Sequence, residues 1–436
     1  MSDAALGTAG FVLALFLVAC GVPVAIATGV IGAVGFWWLN GWVGLNFVLG
    51  SVPFEAIFPY SFSVIPLFIL MGVVMAHAGL SRALFDALNA AVGRLTGGLA
   101  LASIGACAFF GAICGSSLAT AATMGRVAIP EMERRGYNAG FAAATVAAGG
   151  TLGVLIPPSI ILVIYGLLTQ TSIGALFIAA LVPGLIATAL YAVAVLVAVR
   201  ANPSFAPRGK AAADDGEARP SVGLDMAVVA LLFVIVIGGI FTGLFSPTES
   251  AAVGAIGALL LAAFRKALTV RTLGMIISET ASMSGMIFLL IIGAALFNYF
   301  LETTGIPQAL IRVIEASGLS ASAVIVLILI FYLILGCFLD SMSMILLTVP
   351  FIGPLAVQFG FDMVWFGVII VVVAEIGLIT PPVGMNLFVV QAVAPSANQR
   401  AVLRGIVPFI AADLVRLVLL ASFPALTLWL PGFLNH

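Results

Sequence analysis

Apolar runs of about 20 residues, the length of a membrane-spanning helix, recur along most of this chain, and no other feature constrains its fold as strongly. With 63% hydrophobic and 8% charged residues among 436, it cannot cover its own surface with polar groups, since an ordinary soluble domain is roughly a quarter charged. A bilayer is therefore the solvent, and each spanning segment must satisfy its own backbone polarity, as a helix does. An all-α polytopic membrane protein is expected. The net charge of −1 and the lack of a lysine cluster exclude nucleic acid as a partner. Cys20, Cys107, Cys114 and Cys337 lie in apolar segments without CxxC spacing, and the only histidines are His77 and His436. Disulfide and transition-metal roles are not expected. No nucleophile with a histidine and no paired catalytic carboxylates stand at a spacing that suits an enzyme.

The opening run, residues 6–39, would be about 50 Å long as one helix, against a hydrocarbon core of about 30 Å. "CGVPVA" (Cys20–Ala25) divides it, which predicts two short helices, retained rather than cleaved as a signal peptide. Further crossings are expected near 63–80, 139–170, 174–199, 224–245, 249–265, 274–297, 362–393 and 405–430. Two other apolar runs, about 99–130 and 320–355, are interrupted at their centres by "GAICGSSLAT" and "GCFLDSMSMI" and read as re-entrant hairpins. Residues 200–222 form the one hydrophilic stretch, a cytoplasmic linker.

An offset of 224 places Pro23 on Pro247, Ser116 on Asp340, Ser117 on Ser341, Gly153 on Gly377, Pro157 on Pro381 and Pro158 on Pro382. So many coincident helix breakers indicate an internal repeat, 1–199 and 223–436. Each repeat holds about five crossings, one hairpin and one broken helix, at about 139–170 and 362–393. With the N-terminus outside, every lysine and arginine except Arg312 and Arg416 falls on the inner side, and both termini are periplasmic. Five is odd, so the second repeat enters the membrane inverted, the arrangement of secondary transporters with binding sites at broken helices.

The double prolines fall in "GTLGVLIPPS" (Gly150–Ser159) and "EIGLITPPVG" (Glu375–Gly384). Each unwinds a helix at membrane depth and frees carbonyl oxygens. By the repeat, each break should face the tip of its own hairpin, "CGSS" (Cys114–Ser117) or "LDSMS" (Leu339–Ser343). The hydroxyls of Ser116, Ser117, Thr151, Ser341 and Thr380, with carbonyls around Gly153, Leu155, Gly377 and Ile379, are hard oxygen donors. Such donors suit an alkali cation, sodium first, whereas a proton would need a titratable relay. The same small residues also serve close helix packing, so any one serine could have that role alone. Asp340 either contributes to the ion or substrate site or caps the returning helix. Glu375 has Thr151 as its repeat counterpart, so no proton-coupling role shared by both halves follows. Asp413 and Arg416, three apart on one helix, read as a structural ion pair. "FSPTESAA" reads as a capped helix start at Ser246, and residues 81–95 and 265–279 read as amphipathic helices along the inner surface.

The segments "GVPVAIATG", "IPLFILMG", "AGLSRALFDA", "GAICGSSLATAATMG", "GGTLGVLIPPSI", "SPTESAA" and "GLITPPVGMNLFV" together resemble the large membrane subunit of TRAP (tripartite ATP-independent periplasmic) transporters, over essentially the whole chain. The resemblance implies an elevator-type ion transporter-like fold in a bacterial inner membrane, driven by sodium and needing no other cofactor. It implies two partners, a separate small four-helix membrane subunit and a soluble periplasmic protein that captures a small organic acid. Carried over by position, sodium sites would involve Ser116, Ser117, Gly153, Pro157, Ser341, Gly377, Thr380 and Pro381, and substrate would lie near Ser117, Asp340, Ser343 and Asn386. A self-sufficient sodium/carboxylate symporter of the same hairpin design and a passive channel are the alternatives.

Overall fold

The computed structural model describes residues 3–207 and 221–434, and among them every regular element is a helix. The first half contains α1 (Asp3–Ala19), α2 (Val24–Ile57), α3 (Val64–His77), α4 (Leu80–Val92), α5 (Gly98–Cys114), α6 (Ser117–Arg134), α7 (Ala139–Leu155), α8 (Ile160–Thr169) and α9 (Ile173–Ala201). The second contains α10 (Ser221–Phe241), α11 (Pro247–Phe264), α12 (Val270–Thr303), α13 (Ile306–Ala316), α14 (Ala321–Gly336), α15 (Ser341–Gln358), α16 (Met363–Ile379), α17 (Met385–Val393), α18 (Gln399–Ser422) and α19 (Ala425–Leu434). Seven segments are long and apolar enough to cross a membrane, and α7 with α8 adds a pair bent by 42°. Outward-facing Trp38, Trp42 and Phe47 are exposed, as lipid-facing side chains are. The chain is an all-α polytopic membrane protein.

Helix ends coincide at the offset of 224. Ser117–Arg134 matches Ser341–Gln358, and Ala139–Leu155 matches Met363–Ile379. Their caps match too, and chemistry explains the start points. Asn138 accepts from the Phe141 amide at 3.1 Å, and Asp362 accepts from those of Val364 and Trp365 at 2.8 and 3.0 Å, each satisfying donors that a helix N-terminus leaves unpaired.

Two segments differ from expectation, whereas the run at 6–39 divides before Val24 as expected. Gly41 (φ 70°) then leaves the helical conformation and kinks α2, so the helical piece that follows the first break is itself short. The stretch 265–279 is no separate surface helix, because α12 runs unbroken from its Thr269 cap to Thr303 with no proline inside. The crossing at 405–430 is divided at Phe423 and Pro424 into α18 and α19, since Pro424 has no amide to continue the ladder. Of the linker expected at 200–222, residues 208–220 lie outside the described residues, as does His436. All four cysteines are free.

The long helices α2 and α12 pack together, as do α3 and α11. Gly32 lets α2 approach closely, since a Cβ there would strike the backbone of Leu296 and Phe297. Beside these lie the hairpins α5–α6 and α14–α15, packed on α7 and α16. Every residue of α7 after Ala139, and of α16 from Trp365 onward, is buried. Helices apolar all round and buried all round form the centre of a membrane protein, and here the two central helices are the two that break.

Candidate functional site

Two broken helices and two hairpin tips build the site. In α7, Pro157 and Pro158 have no N–H for the carbonyls of Gly153 and Val154, so the helix ends at Leu155. It resumes at Ile160, where the Ser159 hydroxyl accepts from the Leu162 amide at 3.3 Å. In α16, Pro381 and Pro382 likewise cannot serve Gly377 and Leu378, the helix ends at Ile379, and the Thr380 amide turns back to the Gly377 carbonyl at 3.1 Å. Both Pro–Pro peptide bonds are cis.

Each break touches the tip of its own hairpin through a pair of glycines. A Cβ on Gly153 would fall inside the backbone of Gly111, and one on Gly377 inside that of Gly336. Only hydrogen fits at either position. Further contact comes from the Gly384 amide, which lies 3.4 Å from the Cys337 carbonyl. The carbonyls that the prolines cannot serve are thereby held beside the serine-bearing turn that precedes α6 or α15.

The candidate oxygens divide into two groups. Ser116 caps α6, accepting from the Ala119 amide at 3.4 Å, and Ser117 is buried as the first residue of that helix. Ser341 begins α15 and donates to Glu375 Oε1 at 2.8 Å. Gly153, Leu155 and Pro157 frame the first break, and Gly377, Ile379, Thr380 and Pro381 frame the second. Thr380 donates its hydroxyl to the Ile376 carbonyl at 2.6 Å, which leaves its lone pairs available. Thr151 behaves differently. Its hydroxyl donates to the Ala148 carbonyl at 2.7 Å and lies 3.1 Å from Tyr191 of α9, so it faces that helix.

Among the residues expected at the substrate, Asp340 is the N-cap of α15. Its carboxylate accepts from the amides of Met342 and Ser343, both at 3.1 Å, and from the Ser343 hydroxyl. Asp340 and Ser343 are thus each other's partners. Asn386, fully buried in α17, reaches across to the first half, donating to Ser117 Oγ at 2.8 Å and to the Ala147 carbonyl at 3.0 Å.

A deeper polar layer joins α9 and α18. Tyr191 donates to Asp413 Oδ2 at 2.6 Å, and Asp413 Oδ1 lies 2.8 Å from Arg416 Nη2. The ion pair expected from the i, i+3 spacing is therefore present and fully buried. Tyr191 escaped sequence reasoning because a single tyrosine in an alanine-valine helix gives no signal of its own.

Buried, broken helices clasped by hairpin tips define the class: a polytopic membrane protein with the fold of a transporter. A solved structure of the YdaH transporter from Alcanivorax borkumensis shares the architecture, with a TM-score of 0.64, 14% identity and 98% of each chain covered. The sequence pattern described as "Tripartite ATP-independent periplasmic transporter, DctM component" matches residues 11–426, and the chain belongs to that family. It is similar to the C4-dicarboxylate TRAP transporter large permease protein DctM of Pseudomonas aeruginosa, 39% identical over 385 residues, 88% of each chain. It is also similar to the isethionate TRAP transporter permease protein DctMQ of Oleidesulfovibrio alaskensis, 35% identical over 420 residues, 96% of this chain and 65% of that one.

Proposed function

We propose that this chain is the transport subunit of a sodium-coupled, binding-protein-dependent transporter that imports a small organic acid. The observation that carries the reading is the matched pair of breaks, each with proline-orphaned carbonyls held by a glycine contact beside a serine at a hairpin tip. Such an array supplies hard oxygens without sulfur or imidazole, a donor set that fits an alkali cation. Sodium at the first pair would draw on Ser116, Ser117 and carbonyls at Gly153 and Leu155. At the second it would draw on Ser341, Thr380 and carbonyls at Gly377 and Ile379.

Ion binding at both pairs orders the two tips together, and the anion site lies between them near Ser117, Asp340, Ser343 and Asn386. The N-termini of α6 and α15 supply partial positive charge for a carboxylate there. The hairpins and broken helices move as one body against α2, α3, α11 and α12, an elevator-like shift between the two faces of the inner membrane. Organic anions in the names of both relatives support the substrate class. The second relative, whose name joins two components as DctMQ, supports a small membrane subunit as partner. A soluble periplasmic binding protein completes the assembly.

Uptake of labelled organic acids into proteoliposomes, with the partner subunit and binding protein present, tests the reading. Uptake should require an inward sodium gradient. Equal uptake when potassium replaces sodium overturns the coupling, uptake undiminished without the binding protein favours the self-sufficient symporter, and gradient-independent flux favours a channel.

A further inference from the structure

The two halves differ at a place where the repeat should make them alike. The offset of 224 carries α4 onto α13 and α1 onto α10. In the first half, α4 packs on α5 and α10 and buries Leu80, Leu84 and Phe85. In the second half, α13 is amphipathic too, with Gln308, Arg312 and Glu315 along its exposed side and Leu310 and Ile314 opposite them. Yet Pro307 is the only buried residue of α13. Its apolar side lies against a space that protein does not fill.

That space is a cavity of about 290 Å³, enclosed between α13 and Phe11 of α1, Leu301 of α12, Phe331 of α14 and Phe351 of α15. Its walls are tied together. Phe11 meets Phe351 edge-on with ring centroids 5.6 Å apart, and Gln358 of α15 donates to Glu315 of α13 at 2.8 Å. Thr8 is the one polar residue of the lining, and its hydroxyl already donates to the Ala4 carbonyl at 2.8 Å. Water needs several polar partners, so an apolar cavity like this one takes hydrocarbon instead. Hydrocarbon is also what its rim faces. Leu327, part of the lining, is 52% exposed, and Val12 and Phe16 of α1 with Ile330 and Ile334 of α14 are exposed apolar side chains, as at a lipid boundary. An amphipathic helix such as α13 lies at the membrane–water boundary, which sets the cavity just beneath headgroup level.

We infer that the cavity under α13 binds one acyl chain of a membrane phospholipid, whose headgroup stays at the boundary beside that helix. The lining selects for apolar shape and not for the headgroup. In the elevator-like motion proposed above, α12 belongs to one body and α14–α15 to the other, so the bound chain lies across their boundary. Its binding does not depend on that motion.

Phosphatidylethanolamine carrying a photoreactive diazirine in its acyl chain tests this, in nanodiscs that hold the protein with its small membrane subunit, with labelled residues mapped by mass spectrometry. Phe351 is buried, so bulk lipid does not reach it. It should be labelled well above Phe366, a buried residue outside the cavity. Leu310→Trp fills the space from a helix that buries almost nothing, and Thr8→Trp obstructs the cavity from an exposed position. Each variant should bring the label at Phe351 down to the level at Phe366. Wild-type label at Phe351 no greater than at Phe366 overturns the site, as does label that neither variant reduces. Label that appears only when the small subunit is omitted also overturns it, because a partner helix and not a lipid then covers the cavity.

Discussion

Gly153→Ala adds a single methyl group where the structure has room only for hydrogen. The new Cβ would meet Gly111 Cα, carbonyl carbon and carbonyl oxygen, all backbone atoms that cannot rotate aside. Relief must come from separating α5 from α7, and overpacking of this kind costs about 1–3 kcal/mol. Separation moves the hairpin tip away from the orphaned carbonyls, and a bound ion must draw them together again. The same energy then appears in ion affinity, raising half-saturating sodium by roughly five- to 150-fold. Sodium activation of uptake in proteoliposomes measures this directly, with Gly238→Ala as a control, because a Cβ there meets nothing within 4 Å. Unchanged sodium dependence in Gly153→Ala would refute the claim that the glycine contact holds the ion-binding geometry.

Other perturbations separate structural from functional roles. Arg416→Met should lower the stability of the chain by about 3–5 kcal/mol by stranding Asp413, and adding Asp413→Leu should recover most of it; thermal unfolding in nanodiscs checks both, and an unaffected single variant would contradict the buried pair. Asp340→Ala should cost about 0.5–2 kcal/mol through loss of the α15 cap, seen as faster amide exchange at Met342 and Ser343. Asp340→Asn keeps a capping oxygen and should preserve stability while slowing transport, and full transport would remove the Asp340 charge from the site. Ser117→Ala should impair uptake without preventing membrane insertion, because Asn386 keeps the Ala147 carbonyl as a partner; wild-type uptake rates would exclude the Ser117 hydroxyl from the mechanism.

The membrane class, both breaks and both hairpin tips were legible because prolines, glycines and apolar runs act through local backbone chemistry. Pro157, Pro158, Pro381 and Pro382 end helices wherever they stand, and the offset of 224 doubled the signal. What a hydroxyl bonds to depends instead on helices distant in sequence. Thr151 occupies the expected helix yet faces Tyr191, 40 residues onward. Asp340 was readable both as a cap and as a site residue, and its partners Met342 and Ser343 are local enough that the cap could be foreseen. Glu375 stood out as a charge among valines and isoleucines, but its link to Ser341, 34 residues away, required the fold. The kink of α2 at Gly41, by contrast, carried no signal beyond a single glycine in an apolar run.

The central claim is that the two helix interruptions are ion sites. Density maps of the wild-type chain in nanodiscs, recorded in sodium and again in potassium, test it most directly. Sodium should bring discrete density between Ser116 and the Gly153–Pro157 segment, and between Ser341 and the Gly377–Pro381 segment, with both tips sharpened relative to potassium. Superimposable maps with nothing in either cleft would contradict it.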